Sequence, residues 1–417
     1  MNFCSTKKCL HYASPAHGGW GVVRVGMLIP QSYQLFVCPF ACGRHGAIGA
    51  IQQGLKDRLS YLYLDQSDII DGYEDLIVES VQEFIKSLND DVRVILIVVS
   101  CLDDLIGTDT ISLRERLNKK YPKYTFQIGH MNPITGDTQS PPLVSIQRSI
   151  YELLEKREIN NKLVVTIGNF EPLNEDNDIK LLLKDNGYTL LHISETNTFD
   201  EFLDLARSSL NLVIAPSGLL SAKDINNKLG IPYLFLPTSY WLEEIKAQTK
   251  EICNFLSIEV AEEYFNAKEK NALKLIEKAK EAMKGKKLIV SSSSTNRVFS
   301  LSLALLKYGF DIDTIFAQSI PKIEKNALKE IEDNFTQVQI KQVLHHSMIN
   351  RVKNKEDYVA IGIEGSYSIN SKHPVQMEGD HQMYGYQGLE NLMLGIIESI
   401  ENPKTIEELL DIYKLVI

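Results

Sequence analysis

Six cysteines, at positions 4, 9, 38, 42, 101 and 253, are the residues of this 417-residue chain best suited to carry chemistry. Two of them stand in Cys38-Pro-Phe-Ala-Cys42-Gly43-Arg44-His45-Gly46. The apolar run Gln34–Val37 before that stretch predicts a short strand, and the residues from about His45 to Lys56 predict a helix after it. A cysteine at such a strand-to-helix turn meets backbone N–H groups and a helix N-terminus, which favour thiolate and bound anions. Two small buried hydrophobes in a turn would give the same local pattern. Cys101 follows Val98-Val99-Ser100, and Cys9 shortly precedes Gly18-Gly19-Trp20-Gly21, where small residues permit close backbone approach. Spacings of 33 and 59 residues between Cys9, Cys42 and Cys101 match no zinc-finger or bacterial ferredoxin run. A metal site here would therefore depend on the fold bringing distant thiols together.

The elements that must do this alternate regularly. Asp91–Ser100 is a nearly unbroken apolar run, the pattern of a strand buried on both faces of a parallel sheet. Helical stretches flank it at Tyr73–Leu88 and Ser112–Lys120, and another strand ends near Met131-Asn132-Pro133. A second set of strands is predicted at Lys162–Gly168, Tyr188–Ser194, Asn211–Ala215 and Ile231–Leu236. A third covers Lys287–Ser291, Asp311–Phe316 and Tyr358–Ile363. Strands alternating with helices imply βαβ units and doubly wound sheets. The expected architecture is α/β, with three stacked Rossmann-like domains over residues 1–158, 159–285 and 286–417, the last ending in a closing helix. A charged helix from about Glu259 to Lys284, closed by Gly285, separates the second and third sets.

Composition narrows the class. Hydrophobic residues make up 44% of the chain and charged ones 24%, a globular balance. The formal net charge of −10, without a basic block, argues against nucleic acid and anionic membranes as partners. No apolar run reaches the roughly 18 residues a membrane-spanning helix needs. The first residues lack the apolar core of a signal peptide, so a cytoplasmic location is expected, with thiols or metal ligands rather than disulfides.

The order Cys9 … Gly-Gly-Trp-Gly … Cys42-Gly … Ser-Cys101-x-x-x-Leu-Ile-Gly-x-Asp109 resembles the nitrogenase component 1 superfamily. That group includes nitrogenase molybdenum–iron protein subunits, their cofactor-assembly scaffold paralogues, dark-operative protochlorophyllide and chlorophyllide reductases, and the reductive cyclase of nickel-tetrapyrrole synthesis. Leu210-Asn-Leu-Val … Lys228-Leu-Gly-Ile-Pro-Tyr233 and Tyr384-Gly-Tyr-Gln-Gly388 are similar to further elements of that family, so the likeness covers nearly the whole chain. The resemblance implies that Cys9, Cys42 and Cys101 ligate an iron–sulfur cluster, a [4Fe–4S] cubane in the first instance, near a subunit interface. Cys4 and Cys38 are in-chain candidates for a fourth ligand, with Asp103 behind them, and Cys4 is an alternative to Cys9. The implied partners are a paralogous subunit or second copy of the chain, and a separate ATP-dependent iron–sulfur reductase. This chain has no G-x-x-x-x-G-K-[ST] loop with which to hydrolyse nucleotide itself.

The chain also departs from nitrogenase. Where nitrogenase holds its iron–molybdenum cofactor by a strand-end cysteine, this chain has Ala215. The histidine at the other end of that cofactor would fall near Val375, with His373 two residues away and His381 nearer the Gly-Tyr-Gln-Gly element. Cys253 lies in an apolar pattern and reads as core. Dinitrogen reduction is therefore not expected. A cleft accepting an organic substrate or another metallocofactor is, with Glu364, His373 and His381 as acid–base candidates. Ser291–Arg297 follows a strand and opens a helix, so Ser293 and Thr295 could hold a polar or anionic ligand, or simply cap the helix. Three functions follow: catalytic subunit of a two-component reductase, scaffold for metallocofactor assembly, or cluster-free binding protein for a metal chelate or sugar nucleotide.

Overall fold

The computed structural model describes residues 12, 21–52, 54–131, 141–350 and 357–412. In chain order its strands are β1 (Ser32–Cys38), β2 (Leu59–Tyr63), β3 (Val94–Val99), β4 (Thr125–His130), β5 (Asn160–Ile167), β6 (Thr189–His192), β7 (Ser208–Val213), β8 (Tyr233–Phe235), β9 (Leu288–Ser291), β10 (Ile312–Ala317), β11 (Gln339–Gln342), β12 (Val359–Ile361) and β13 (His373–Val375). They form three sheets, ordered β2-β1-β3-β4, β6-β5-β7-β8 and β11-β10-β9-β12-β13. Every strand pair is parallel. The expected α/β class with three doubly wound parallel sheets is what the chain adopts.

The sheets fall into two compact units. Gly19–Pro172 with Gly187–Leu236 holds the first two sheets, and Leu173–Asn186 with Pro237–Ile417 holds the third. In the first unit β3, Val-Ile-Leu-Ile-Val-Val, is buried at every residue. Its alternation sends Ile95, Ile97 and Val99 with Leu35 and Val37 into one core, closed by Ile77, Val81, Leu113 and Leu117 of the helices Glu74–Phe84 and Thr110–Lys120. Val94, Leu96 and Val98 with Phe36 and Cys38 face a second core that continues to Leu163, Val165 and Ile167 of β5. Burial of each such side chain contributes roughly 1.5–3 kcal/mol.

Three strands lie at sheet edges and lack a long apolar run: β2, β11 and β13. They are half-buried or short, so hydrophobic patterning does not announce them. The helix after β1 also differs from expectation, running Phe40–Gln52 rather than starting near His45. Pro39 directly precedes it, and a proline's fixed φ and missing N–H suit a helix entrance. Cys42 therefore sits in the first helical turn.

In the second unit the helix Glu262–Ala282 presents Phe265, Ala272, Ile276 and Ala279 to a core shared with Leu389, Leu392, Met393 and Ile396 of the helix Gly385–Glu401. The buried Asp178 caps the second of these, accepting from Gln387 N at 2.9 Å and Tyr386 N at 3.3 Å. Asn177 Nδ2 donates to Tyr384 O at 3.0 Å. The Tyr384–Gly388 motif is thus the entrance of a helix whose free N–H groups are taken by a carboxyl from a distant segment.

Candidate functional site

In the first sheet, the connection from β1 leads to β2 on one side and that from β3 leads to β4 on the other. The order of strands reverses between β1 and β3, which opens a crevice at their carboxyl ends, the place where ligands collect in doubly wound sheets. Val37 pairs with Val99, and Ser100 N donates to Val37 O at 3.2 Å, so the two strands end level. Cys42 and Cys101 are on the connections that leave these two ends.

Cys42 N donates to Pro39 O at 3.0 Å in the turn that starts its helix. The side chain is half-buried against the core that contains Phe36 and Val98. The next residue must be small, because a Cβ on Gly43 would lie 2.7 Å from the Tyr61 ring. Cys101, also half-buried, is the N-cap of the short helix Leu102–Ile106. Cys38 differs from both. It is fully buried, and burial, with a smaller contribution from Cys42, pushes its thiol up to about 12, which keeps it protonated. Phe40, Tyr63 and Leu105, on the elements flanking these cysteines, are exposed, with the Phe40 and Tyr63 rings edge-on at 5.8 Å. Cys4 and Cys9 lie outside the described residues. Among the described residues no group of three His, Cys, Asp or Glu is placed to hold a metal ion.

One pair at this edge has no signature in the sequence. Asp103 Oδ2 lies 2.6 Å from His130 Nδ1. Asp103 is two residues past Cys101, and His130 ends β4, so only the parallel pairing of β3 with β4 joins them.

The second sheet repeats the reversal, here between β5 and β7. Ala215 follows β7, and Ser217 Oγ donates to Gly168 O at 2.8 Å across the two loops. His192, at the end of β6, is buried, with Nε2 3.0 Å from Asn169 O and Nδ1 accepting from Ser194 N at 3.2 Å. Burial, reinforced by Arg24, pushes this imidazole down from 6.5 to about 4. Between those values the unfolded chain binds a proton that the folded chain does not, so stability falls as pH falls through the window. Urea unfolding at pH 7 and pH 5 is expected to show a loss of about 2 kcal/mol that disappears in His192→Gln. The same loss in both proteins would assign it to another group.

In the third sheet the reversal lies between β9 and β12. Gly362, at φ +89°, brings the β12 loop against the serine-rich loop after β9, where a Cβ would lie 2.5 Å from Ser291 Oγ. Ser293 Oγ accepts from Glu364 N at 3.2 Å, and Ser292 Oγ is 3.5 Å from Glu364 Oε2. Thr295 is buried, its hydroxyl accepting from Arg297 N at 2.8 Å. The helix that follows, Val298–Lys307, has its N-terminus taken by the buried Glu324, which accepts from Phe299 N at 2.8 Å and Ser300 N at 2.9 Å. A turn at 378–382 covers the same loop, with Asp380 N donating to Ser294 O at 3.0 Å and the Asp380 carboxyl accepting from the Tyr240 hydroxyl. Burial raises the Asp380 carboxyl.

Glu364, Ser293 and the half-buried His381 thus belong to the carboxyl edge of this sheet. His373 does not. It starts β13 level with Val359, the first residue of β12, and so lies at the amino edge. Its ring is fully engaged there, Nδ1 2.9 Å from Ser399 O and Nε2 3.1 Å from Lys286 Nζ. Met131 is buried in the core of the first unit, while Asn132 and Pro133 lie outside the described residues.

No curated protein sequence matches the chain. Among solved structures, nitrogenase Cp1 at pH 6.5 superposes with a TM-score of 0.74 and 15% identity, over 95% of this chain and 94% of that one. Nitrogenase Cp1 at pH 5 gives 0.62 and 14%, over 96% and 90%. At these identities the likeness is one of fold. No helix among the described residues is long and apolar enough to cross a membrane. The profile of the nitrogenase component 1 type oxidoreductases matches residues 19–401. Matched across nearly its whole length, the chain belongs to that family, as its cysteine order and strand pattern led us to expect.

Proposed function

We propose that this chain is the catalytic subunit of a nitrogenase-like two-component reductase. The observation that supports the reading is that Cys42 and Cys101, 59 residues apart, leave level ends of adjacent strands at the reversal point of one sheet, in a chain of this family. Thiolates are the ligands of iron–sulfur clusters, and both side chains are half-buried, neither sealed in the core nor free in solvent. Cys42 and Cys101, with Cys9, hold the cluster in this reading; Cys4 or a partner subunit completes the set. Cys38 stays a neutral core thiol. When bound, the cluster supplies low-potential one-electron storage and transfer. The exposed Phe40, Tyr63 and Leu105 beside it offer an apolar face for a second copy or a paralogue.

Electrons come from a separate ATP-hydrolysing iron–sulfur protein, which docks transiently on the cysteine-bearing sheet. The chain's net charge of −10 suits a partner with a complementary basic face. Mixing anaerobic protein with its cognate reductase and ATP, and following the mixture by rapid-freeze spectroscopy, is expected to show a new reduced signal in this chain. The signal should need both additions, weaken with salt and vanish in Cys101→Ser. No reduction by a cognate reductase with ATP would overturn the two-component reading and leave the scaffold role in its place.

A further inference from the structure

The lysines of the helix Glu262–Ala282 and the turn after it serve neither the core nor the reductase reading. Residues 268–287 hold eight lysines and three glutamates, a surplus of five positive charges in a chain whose net charge is −10. No contiguous basic run marks them in the sequence; the helix lines them up. Phe265, Ala272, Ile276 and Ala279 take its core face. Lys270, Lys274 and Lys278, four residues apart, stand on the opposite face and are exposed, as is Lys284 just past the helix end. At a rise of about 1.5 Å per residue, the first three span roughly 12 Å.

Ordinary structural roles do not account for this row. Ion pairs fasten the first half of the helix, where Lys246 meets Glu262 at 2.6 Å and Glu269 at 3.3 Å, and Lys250 meets Glu262 at 3.1 Å. In the second half Lys280 pairs with Glu277 at 2.9 Å. The side chains of Lys270, Lys274, Lys278 and Lys284 make no hydrogen bond or ion pair among the described residues. The negative end of a helix favours cations only within its last turn, which leaves Lys270 and Lys274 unexplained. Like charges four residues apart repel, so the row is a small cost to the chain unless something anionic lies against it.

We propose that this row is a docking surface for an acidic segment of another protein. The choice of occupant follows from what is interleaved with the lysines. Exposed Glu281 stands within the row, and the 48% exposed Leu273 borders it. Lys274, Lys278, Lys284 and the two glutamates line a shallow hollow of about 590 Å³ with Lys280. A phosphate backbone or an anionic lipid surface is uniformly negative, so it would be repelled by Glu281 and by the net −15 carried outside residues 268–287. A protein segment can set carboxylates on the lysines, a donor on Glu281 and an apolar side chain on Leu273. About four extended residues would cover Lys270 to Lys278. The inference is independent of the reductase reading.

The probe is a synthetic decapeptide of eight glutamates and two leucines, added to the full chain. It is expected to bind in low salt, to weaken as salt is raised, and to shield Lys270, Lys274, Lys278 and Lys284 from acetylation as read by mass spectrometry. Changing those four lysines together to glutamine should weaken binding about tenfold, the sum of four modest exposed pairs. Glutamine at the exposed Lys56, Lys119, Lys325 and Lys329 makes the same change in net charge elsewhere and should leave the affinity as it was. Lysine and glutamine have similar helix propensity, so urea unfolding should show both variants folded. No binding, or equal weakening in the two variants, overturns the proposal. So does tighter binding of a DNA duplex or of phosphatidylserine vesicles than of the peptide. A dimer of the wild type that dissociates in the first variant alone would make the occupant a second copy of this chain, and overturns it as well.

Discussion

Cys42→Ser and Cys101→Ser are each expected to strip most of the iron from anaerobically isolated protein, which in the wild type should be brown with about four irons per cluster. The reason is chemical rather than steric. Serine keeps the size and hydrogen bonding of the side chain but replaces a soft thiolate with a hydroxyl that stays protonated near neutral pH. Both positions are half-buried at the crevice, so the fold should survive the change. Cys38 supplies the internal contrast. Its thiol is fully buried and pushed up to about 12, so Cys38→Ala should keep its iron and lose stability instead, by roughly 1 kcal/mol for the small cavity. Iron measured by absorbance and metal analysis decides the matter. Iron content unchanged in both serine variants would remove the cluster assignment.

The largest stability effect should come from Glu324→Ala, about 3–5 kcal/mol by urea unfolding. Glu324 is fully buried, and its carboxyl group accepts from Phe299 N, Ser300 N and the Ser300 hydroxyl while pairing with Arg297 Nε at 3.4 Å. Alanine would leave two helix N–H groups without that acceptor and would take from the buried Arg297 its fully buried carboxylate partner, leaving it Glu244 at 3.5 Å, the Ser300 hydroxyl at 3.1 Å and the backbone oxygens of Pro237 and Thr238. Breaking one half of a buried pair costs far more than an exposed one. Asp75→Ala, which breaks the exposed pair with Arg116, is the control and should cost under about 1 kcal/mol. Similar losses in both variants would mean that the buried network contributes nothing special to the second unit. The same carboxyl group also bears on the serine-rich loop. The helix N-terminus that could have attracted an anion there is already occupied by a side chain of the protein.

The legible parts of this protein are those where local pattern and final burial coincide. β3 reads as a central strand because both of its faces are covered, so every position is apolar. The α/β class, the three parallel sheets and the family followed from such runs and from the order of the cysteines. Edge strands escaped for the opposite reason: β2 and β11 are half-exposed, and a half-exposed strand needs no apolar run. The early start of the Phe40 helix turned on one proline, which breaks a helix inside it but suits its entrance.

Side-chain roles depended on pairings that no local spacing encodes. Cys38 and Cys42 are four residues apart, yet strand alternation drives the first into the core and a helical turn leaves the second beside the crevice. His373 and Glu364 are close in sequence, but a parallel strand returns to the amino edge before it starts, so the fold parts them. Asp103 and His130 are 27 residues apart and meet only because β3 and β4 pair in register. Sequence alone determined which elements form, since that is decided by the apolar period along the chain. The tertiary structure decided which thiol is buried and which polar groups share an edge, since strand order and register are properties of the assembled sheet.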